Sequence, residues 1–433
     1  MKRLFALVVG LCAPAASAWG FIVSQEPFAH RSAGAQVVIL RDDDASVLTV
    51  QRDVEGPRSP FAWVLPLPGP AELRDARALH TRDLEHLHAV TAPRLDELWE
   101  RDPCVEPRPS EEQTFSPVLT PAIGLGEYQL TMLESHQVEP WLRARGFLLA
   151  GLTGAPLSSR FSWVVAEVDL ERARVEKDRF RLSPLQFRFH RTVVDLPLAV
   201  MVGDAPRQDV VVHLITRAGR MTAKGLPSLF APTNVDLELA WAPQFPAVFA
   251  TLLEAVWTRT PTAVVTEFSG PVLRACERCG PPLEPTLLRA LGFDGSRLPP
   301  VADAGDLDPR ARQQLKWRNA RGEDLVVTRL RLRVAAGAPE TVSFVPAPPS
   351  DPFESRFAVR HHWTKRARCG DPRWGDWSTT ETRGQPRVGP WAPMSGPALP
   401  APLPEVERAL ASQVAGWDIA GAKPPPGTSR RGR

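Results

Sequence analysis

Cys276 and Cys279 form a C-x-x-C pair, and with Cys104 and Cys369 they supply four thiols open to three kinds of chemistry. Thiolates bind zinc, which takes four ligands in a closed tetrahedral site. A C-x-x-C pair also serves as a redox dithiol, but that use places it at the start of a helix, and here Gly280-Pro281-Pro282 follows at once. In an oxidising compartment the same residues read as two disulfides with three possible connectivities. Imidazoles cluster at His80, His86 and His88 and again at His361-His362. His86 and His88 on a helix point to different faces, and neighbours on a strand point to opposite ones, so neither group converges on a metal. Asp42-Asp43-Asp44 lacks the ligand spacing of a calcium loop and reads as a solvated turn. Asp303, Asp306 and Asp308 read as hydrophilic linker. For a hydrolase without a motif, Glu267 at a strand end and His361 are the first candidate residues.

The familiar signatures are missing: the chain has no H-E-x-x-H, no G-x-S-x-G, no phosphate-binding P-loop and no dinucleotide glycine loop. No cofactor is implied. Lys+Arg 52 against Asp+Glu 49 gives a formal charge of +3, too small for a protein that must neutralise many phosphates. Nucleic acid is therefore excluded as a partner. The excess sits in the last residues, where seven basic side chains face four acidic ones after Trp377.

The compartment is read from the start of the chain. Lys2 and Arg3 precede the apolar run Leu4 to Ala13, and Ala16-Ser17-Ala18 offers small residues at both positions a signal peptidase reads. That three-part pattern predicts export with cleavage after Ala18. The run is shorter than the ~20 residues a transmembrane helix needs, and no later stretch replaces it, so no span remains after cleavage. Export, periplasmic or extracellular, favours the disulfide reading of the four mature cysteines.

The elements that would position these groups are mostly strands. Gln36 to Arg41 and Ser46 to Gln51 read as a hairpin. Phe61 to Leu65 reads as a buried strand. Helical spacing marks Leu84, Leu87 and His88, then a second helix through Leu95, Leu98 and Trp99. Val138 to Arg145 reads as a short helix closed by Gly146. Leu185, Phe187 and Phe189 alternate with Gln186, Arg188 and His190, which predicts one apolar and one wet face. Val193 to Val202 and Asp209 to Thr216 continue the strands. The clearest helix runs from Pro243 to Arg259, with Phe245, Val248, Phe249, Leu252, Leu253, Val256 and Trp257 on one stripe. Ala263 to Phe268 is a strand and Glu284 to Leu291 a second short helix. Leu330, Leu332 and Val334 alternate with Arg329, Arg331 and Arg333, predicting another half-buried strand. Phe357 to His361 is the last. Thirteen Trp stand against one Tyr; Trp19, Trp363, Trp374, Trp377 and Trp391 read as plugs near the ends of a β-rich core.

Together these stretches resemble the bacterial secreted family catalogued as domain of unknown function 2330. The resemblance is carried by Gln36 to Arg41, Glu55-Gly56-Pro57, Phe61 to Pro68, Ala92-Pro93-Arg94-Leu95 and Trp99 to Cys104. It continues through Gly126-Glu127-Tyr128, Leu182 to Leu185, Pro232-Thr233-Asn234, Val265-Thr266-Glu267, the Cys276 and Cys279 pair, Thr328-Arg329-Leu330 and Arg356 to Trp363. Similar members begin the mature chain with a Cys beside Gly-Phe, where Trp19-Gly20-Phe21 stands here. The resemblance implies export and a β-rich unit, and no activity.

The expected fold class is α+β, β-rich, with mainly antiparallel sheet and a few packed helices. The expected organisation is a signal peptide over 1–18, a β-rich subdomain with helices over 19–150, a second β-rich subdomain over 151–377 and a proline-rich disordered tail over 378–433. The expected function is a non-catalytic role in binding a protein or envelope component. A secreted hydrolase and a zinc-binding protein using the mature cysteines are the alternatives.

Overall fold

The computed structural model describes residues 20–26, 30–42, 45–69, 73–99, 125–149, 157–190, 195–198, 207–271, 283, 285–293, 325–335, 339–348, 350–361, 399–403 and 405–406. The signal segment, Asp43, Asp44, the four mature cysteines, the Asp303 trio, His362 and the five terminal tryptophans lie outside the described residues. The fold is α+β as expected: strands dominate, the sheets are mostly antiparallel, and the helices are few.

Two sheets make the core. The smaller is antiparallel, in the order Phe21–Ser24, Phe61–Leu67, Ser162–Val168, Tyr128–Leu133. Its middle strands are buried on both faces, which is why Phe61 to Leu67 reads as one unbroken apolar run. Phe61, Trp63 and Leu65 face the larger sheet, while Ala62 and Val64 face Val138 and Leu142 of a helix, α1 and α2 being Thr81–Thr91 and Ser135–Ala144. The larger sheet runs Ser228–Phe230, Val264–Pro271, Val326–Ala335, Arg207–Thr216, Arg31–Asp42, Ala45–Glu55, Arg179–Arg181, Arg174–Glu176. Two of these neighbours are parallel: Ser228–Phe230 with Val264–Pro271, and Arg31–Asp42 with Arg207–Thr216. Strands from both sides of residues 150–159 share this sheet.

Between the sheets, Val37, Ile39, Leu48, Val50, Val212, Leu330 and Leu332 interlock with the small sheet's inner face. The opposite face of the large sheet is covered by helices. Leu84, Leu87 and Val90 of α1 and Leu287 and Leu288 of α4 (Pro285–Ala290) pack on Val38, Leu40, Ile215 and Val327. Further along, α3 (Phe245–Arg259) lays its predicted stripe against Val265, Phe353 and Phe357. The molecule is thus layered helix, sheet, sheet, helices. Arg77, Gln186 and Arg188 donate to the carbonyls of Ala290 and Gly292 at the end of α4, where cations complement the helix dipole.

The predicted hairpin is longer than the sequence suggests, Arg31–Asp42 with Ala45–Glu55. The predicted second helix through Leu95 and Trp99 is instead the strand Arg94–Trp99. Six residues hold a helix poorly by themselves, and Arg356–His361 offers them a full parallel ladder. Of Val193 to Val202, the described strand is only Leu196–Pro197. Gln186, predicted to face water, is buried and donates to Thr49, because the C-terminal end of α4 closes over it at the Ala290 carbonyl. Within the segment expected to be disordered, Leu399, Leu403 and Val406 pack against α3.

Gly20 ties the beginning of the described chain to the core. Its φ of +82° suits glycine, and a Cβ there would stand 2.0 Å from the Val64 carbonyl oxygen. Its own carbonyl accepts from Arg52 at 3.2 Å, a fully buried guanidinium whose pKa burial lowers to about 9. Gly20→Ala is expected to destabilise the protein by at least ~1–3 kcal/mol through backbone strain alone. Urea unfolding checks this; an unchanged midpoint would show that the turn is not as described.

Candidate functional site: a buried cluster of charge

The strand Val326–Ala335 aims Arg329, Arg331 and Arg333 at one face, as alternation requires. The sequence reading makes that face wet. Arg329 and Arg331 are instead fully buried, because α1 lies over their end of the sheet. What makes the burial tolerable is Glu267. The adjacent strand Val264–Pro271 slips register between Thr266 and Phe268, so Glu267 sits in a bulge with no partner across the ladder. By alternation Glu267 shares a face with Val265, which lies opposite Arg331, and the bulge sets Glu267 and Phe268 together against Arg329, so the carboxylate stands between two guanidiniums. Glu267 Oε2 accepts from Arg329 Nε at 2.5 Å, and Oε1 accepts from Arg331 Nε.

The cluster continues into α1 and the next strands. Arg329 Nη1 donates to His88 Nδ1 at 3.2 Å and reaches Thr91 Oγ1 at 3.4 Å. The Thr91 hydroxyl lies 2.7 Å from the Leu87 carbonyl and 2.9 Å from His213 Nε2. His213 Nδ1 stands 3.5 Å from Gln36 Nε2. One helix and four neighbouring strands of the large sheet are joined by this chain of contacts.

Protonation follows from the surroundings. Burial raises the Glu267 pKa, but Arg331 and Arg329 outweigh it and hold the carboxyl below its ordinary value. Burial lowers Arg329 to about 10, opposed by Glu267. Burial pushes His213 well below its ordinary value, and Arg329, His88 and Arg331 push the same way. At neutral pH the cluster therefore holds an ionised Glu267 between two cations, beside a neutral His213.

At the edge of this cluster, Arg333 ties α3 to the sheet. It pairs with Asp209 through two bonds of 2.7 and 3.0 Å, bonds Glu254, and lies 3.9 Å over the Trp257 ring.

This arrangement is suited to holding elements in register, and poorly suited to proton transfer. A general base works best with a pKa near the working pH and with access to its substrate; Glu267 has neither. Nor does the expected candidate pair assemble. Glu267 is in the middle of its strand rather than at its end. The Glu267 carbonyl accepts from the Ser355 amide at 2.9 Å, and His361 lies six residues further along the following strand, roughly 20 Å away at ~3.3 Å per residue. His86 and His88 do diverge on α1 as expected. Among the described residues no group of three or more His, Cys, Asp or Glu side chains is placed to hold a metal. Sequence reasoning missed His213, Thr91, Gln36 and the role of the arginines. The one signal for His213 was a single imidazole inside the apolar run Val210 to Ile215.

Three stretches that carry the family resemblance put Gln36, Glu267 and Arg329 into this cluster. A family model described as an uncharacterized protein conserved in bacteria, DUF2330, matches residues 13–343. No curated protein matches the chain. Among solved structures, the crystal structure of baculovirus P35 is similar over 43% of this chain and 64% of that one, with 9% identity and a TM-score of 0.24. The chain spans less than two thirds of that protein's length, and a likeness so slight carries no argument.

Proposed function

The chain belongs to the bacterial DUF2330 family, and from that premise we propose that it is an exported, non-catalytic protein that binds a protein or another component of the cell envelope. The observation that supports a binding role over chemistry is the state of Glu267. It is a first candidate residue of the sequence reading, and it is enclosed, ionised and shared by Arg329 and Arg331. Export is supported by the leader pattern Lys2 to Ala18 and by the even count of mature cysteines. The neutral core charge supports a partner recognised by shape and apolar contact rather than by a long-range field.

Intact-mass analysis of the native protein from cell fractions tests the export half. The expected species begins at Trp19, comes from the periplasm or medium, and has lost the four thiol hydrogens of two disulfides. A cytosolic species that begins at Met1 with free thiols would overturn it. In-cell cross-linking tests the binding half: an envelope component linked to the exported chain is expected, and repeated recovery of the uncross-linked protein alone would count against it.

A further inference from the structure

The outer side of α3 carries small and polar residues, Ala247, Thr251 and Ala255 among them, and the chain's own C-terminal segment lies against it at Thr251. Thr251 stands well off the stripe that packs on the sheet, yet it is buried. Its hydroxyl donates to the Ala247 carbonyl at 2.8 Å and accepts the Leu403 amide at 2.7 Å. Val406 is fully enclosed in the α3 cluster, with Leu399 and Leu403 half-buried beside it. The Val406 amide turns back onto the Leu403 carbonyl at 3.0 Å.

The sequence explains why so short a segment docks. Pro400, Pro402 and Pro404 alternate through it. Each fixes φ near −65° and removes an N–H that would need a partner. The free segment is already extended, so ordering it loses less entropy. Proline-rich ligands of apolar grooves use the same economy. One buried valine, two half-buried leucines and one hydrogen bond still have to order the seven described residues of the segment, which leaves the contact near balance. Such a contact opens locally without unfolding the sheet. The segment also lies beyond residues 13–343 that the family model matches.

We propose that the Thr251 side of α3 is a docking groove for a proline-alternating apolar segment, filled in cis by residues 399–403 and 405–406 and able to take the same segment from a second copy of this chain. The inference does not depend on export. The test uses a labelled synthetic peptide spanning Gly396 to Leu410 and the full chain carrying Leu403→Ser and Val406→Ser. Fluorescence anisotropy is expected to show the peptide binding this variant at least ~10-fold tighter than the parent, whose groove is occupied. Adding Thr251→Val to the variant, or the two serines to the peptide, is expected to abolish that difference. Equal affinity for parent and variant, equal binding of a shuffled peptide, or no binding to a folded variant would overturn the proposal. Hydrogen exchange on the unmodified chain guards against a variant that fails to fold. The amides of Leu403 and Val406 are expected to exchange at least ~100-fold faster than those of Val212 and Leu330. Equal rates would overturn the proposal by making the segment part of the global folding unit.

Discussion

Glu267→Gln is expected to lower folding stability by about 3–5 kcal/mol, the usual result of removing one partner from a buried ion pair. The carboxylate lies between Arg329 and Arg331, and all three side chains are fully buried. Glutamine keeps the size and one acceptor oxygen, but its amide N–H₂ turns a donor toward a guanidinium that can only donate. A loss of this size is a large share of the 5–15 kcal/mol a domain possesses. The companion variant replaces the whole cluster with apolar residues, Glu267→Leu, Arg329→Met and Arg331→Met. It is expected to recover most of the loss, because no charge then has to leave water. Equilibrium urea unfolding of parent, single and triple variants reads both effects. A single variant as stable as the parent would mean the carboxylate is not held as described.

Acidification has the second large effect, and it acts through His213. Its folded-state pKa is well below 6.5, the ordinary value it regains on unfolding. Below 6.5 the unfolded chain binds a proton that the folded chain refuses. Stability is therefore full above that pH and falls as pH drops from it, by up to ~1.4 kcal/mol per pH unit for this one group. His30 and His86 are also lowered by burial and act in the same direction, so the parent slope is a sum. His213→Gln removes one titrating group, and its unfolding free energy between pH 6.5 and 5 is expected to be flatter than the parent's by about one proton. Glu267 enters lower: its pKa is held below the ordinary 4.5, so its contribution is present above that value and is lost beneath it. Parallel pH profiles for parent and His213→Gln would show that the imidazole is not kept neutral by the fold.

Much of the scaffold was legible because its signals are local. The hairpin shows in two β-rich runs around a polar turn, and α3 in an apolar stripe that needs no knowledge of its partner. Phe61 to Leu67 is apolar throughout because both its faces are covered. The cluster was illegible for a physical reason. Alternation says that Arg329, Arg331 and Arg333 share a face, and only the arrival of α1 decides that the face is dry. Glu267 shares their face by alternation with Val265, but only the pairing of two strands 62 residues apart in sequence brings it beside them, and hydrophobic periodicity carries no mark of that pairing. Arg94 to Trp99 went wrong in the opposite way: its spacing fits a helix, but the backbone ladder of a strand distant in sequence decides its conformation. Leu403 and Val406 were masked by the prolines around them, whose composition reads as disorder although it also lowers the entropy lost on docking.

A carbon-13 titration of the Glu267 side-chain carboxyl in the folded protein tests most directly whether this cluster holds the fold together or carries out chemistry. The carboxylate is expected to stay ionised from neutral pH down to at least 4.5, and to take up its proton only as the fold gives way. A reversible protonation of folded protein with a midpoint near 7 would contradict that account, and would return Glu267 to the role of a general acid or base.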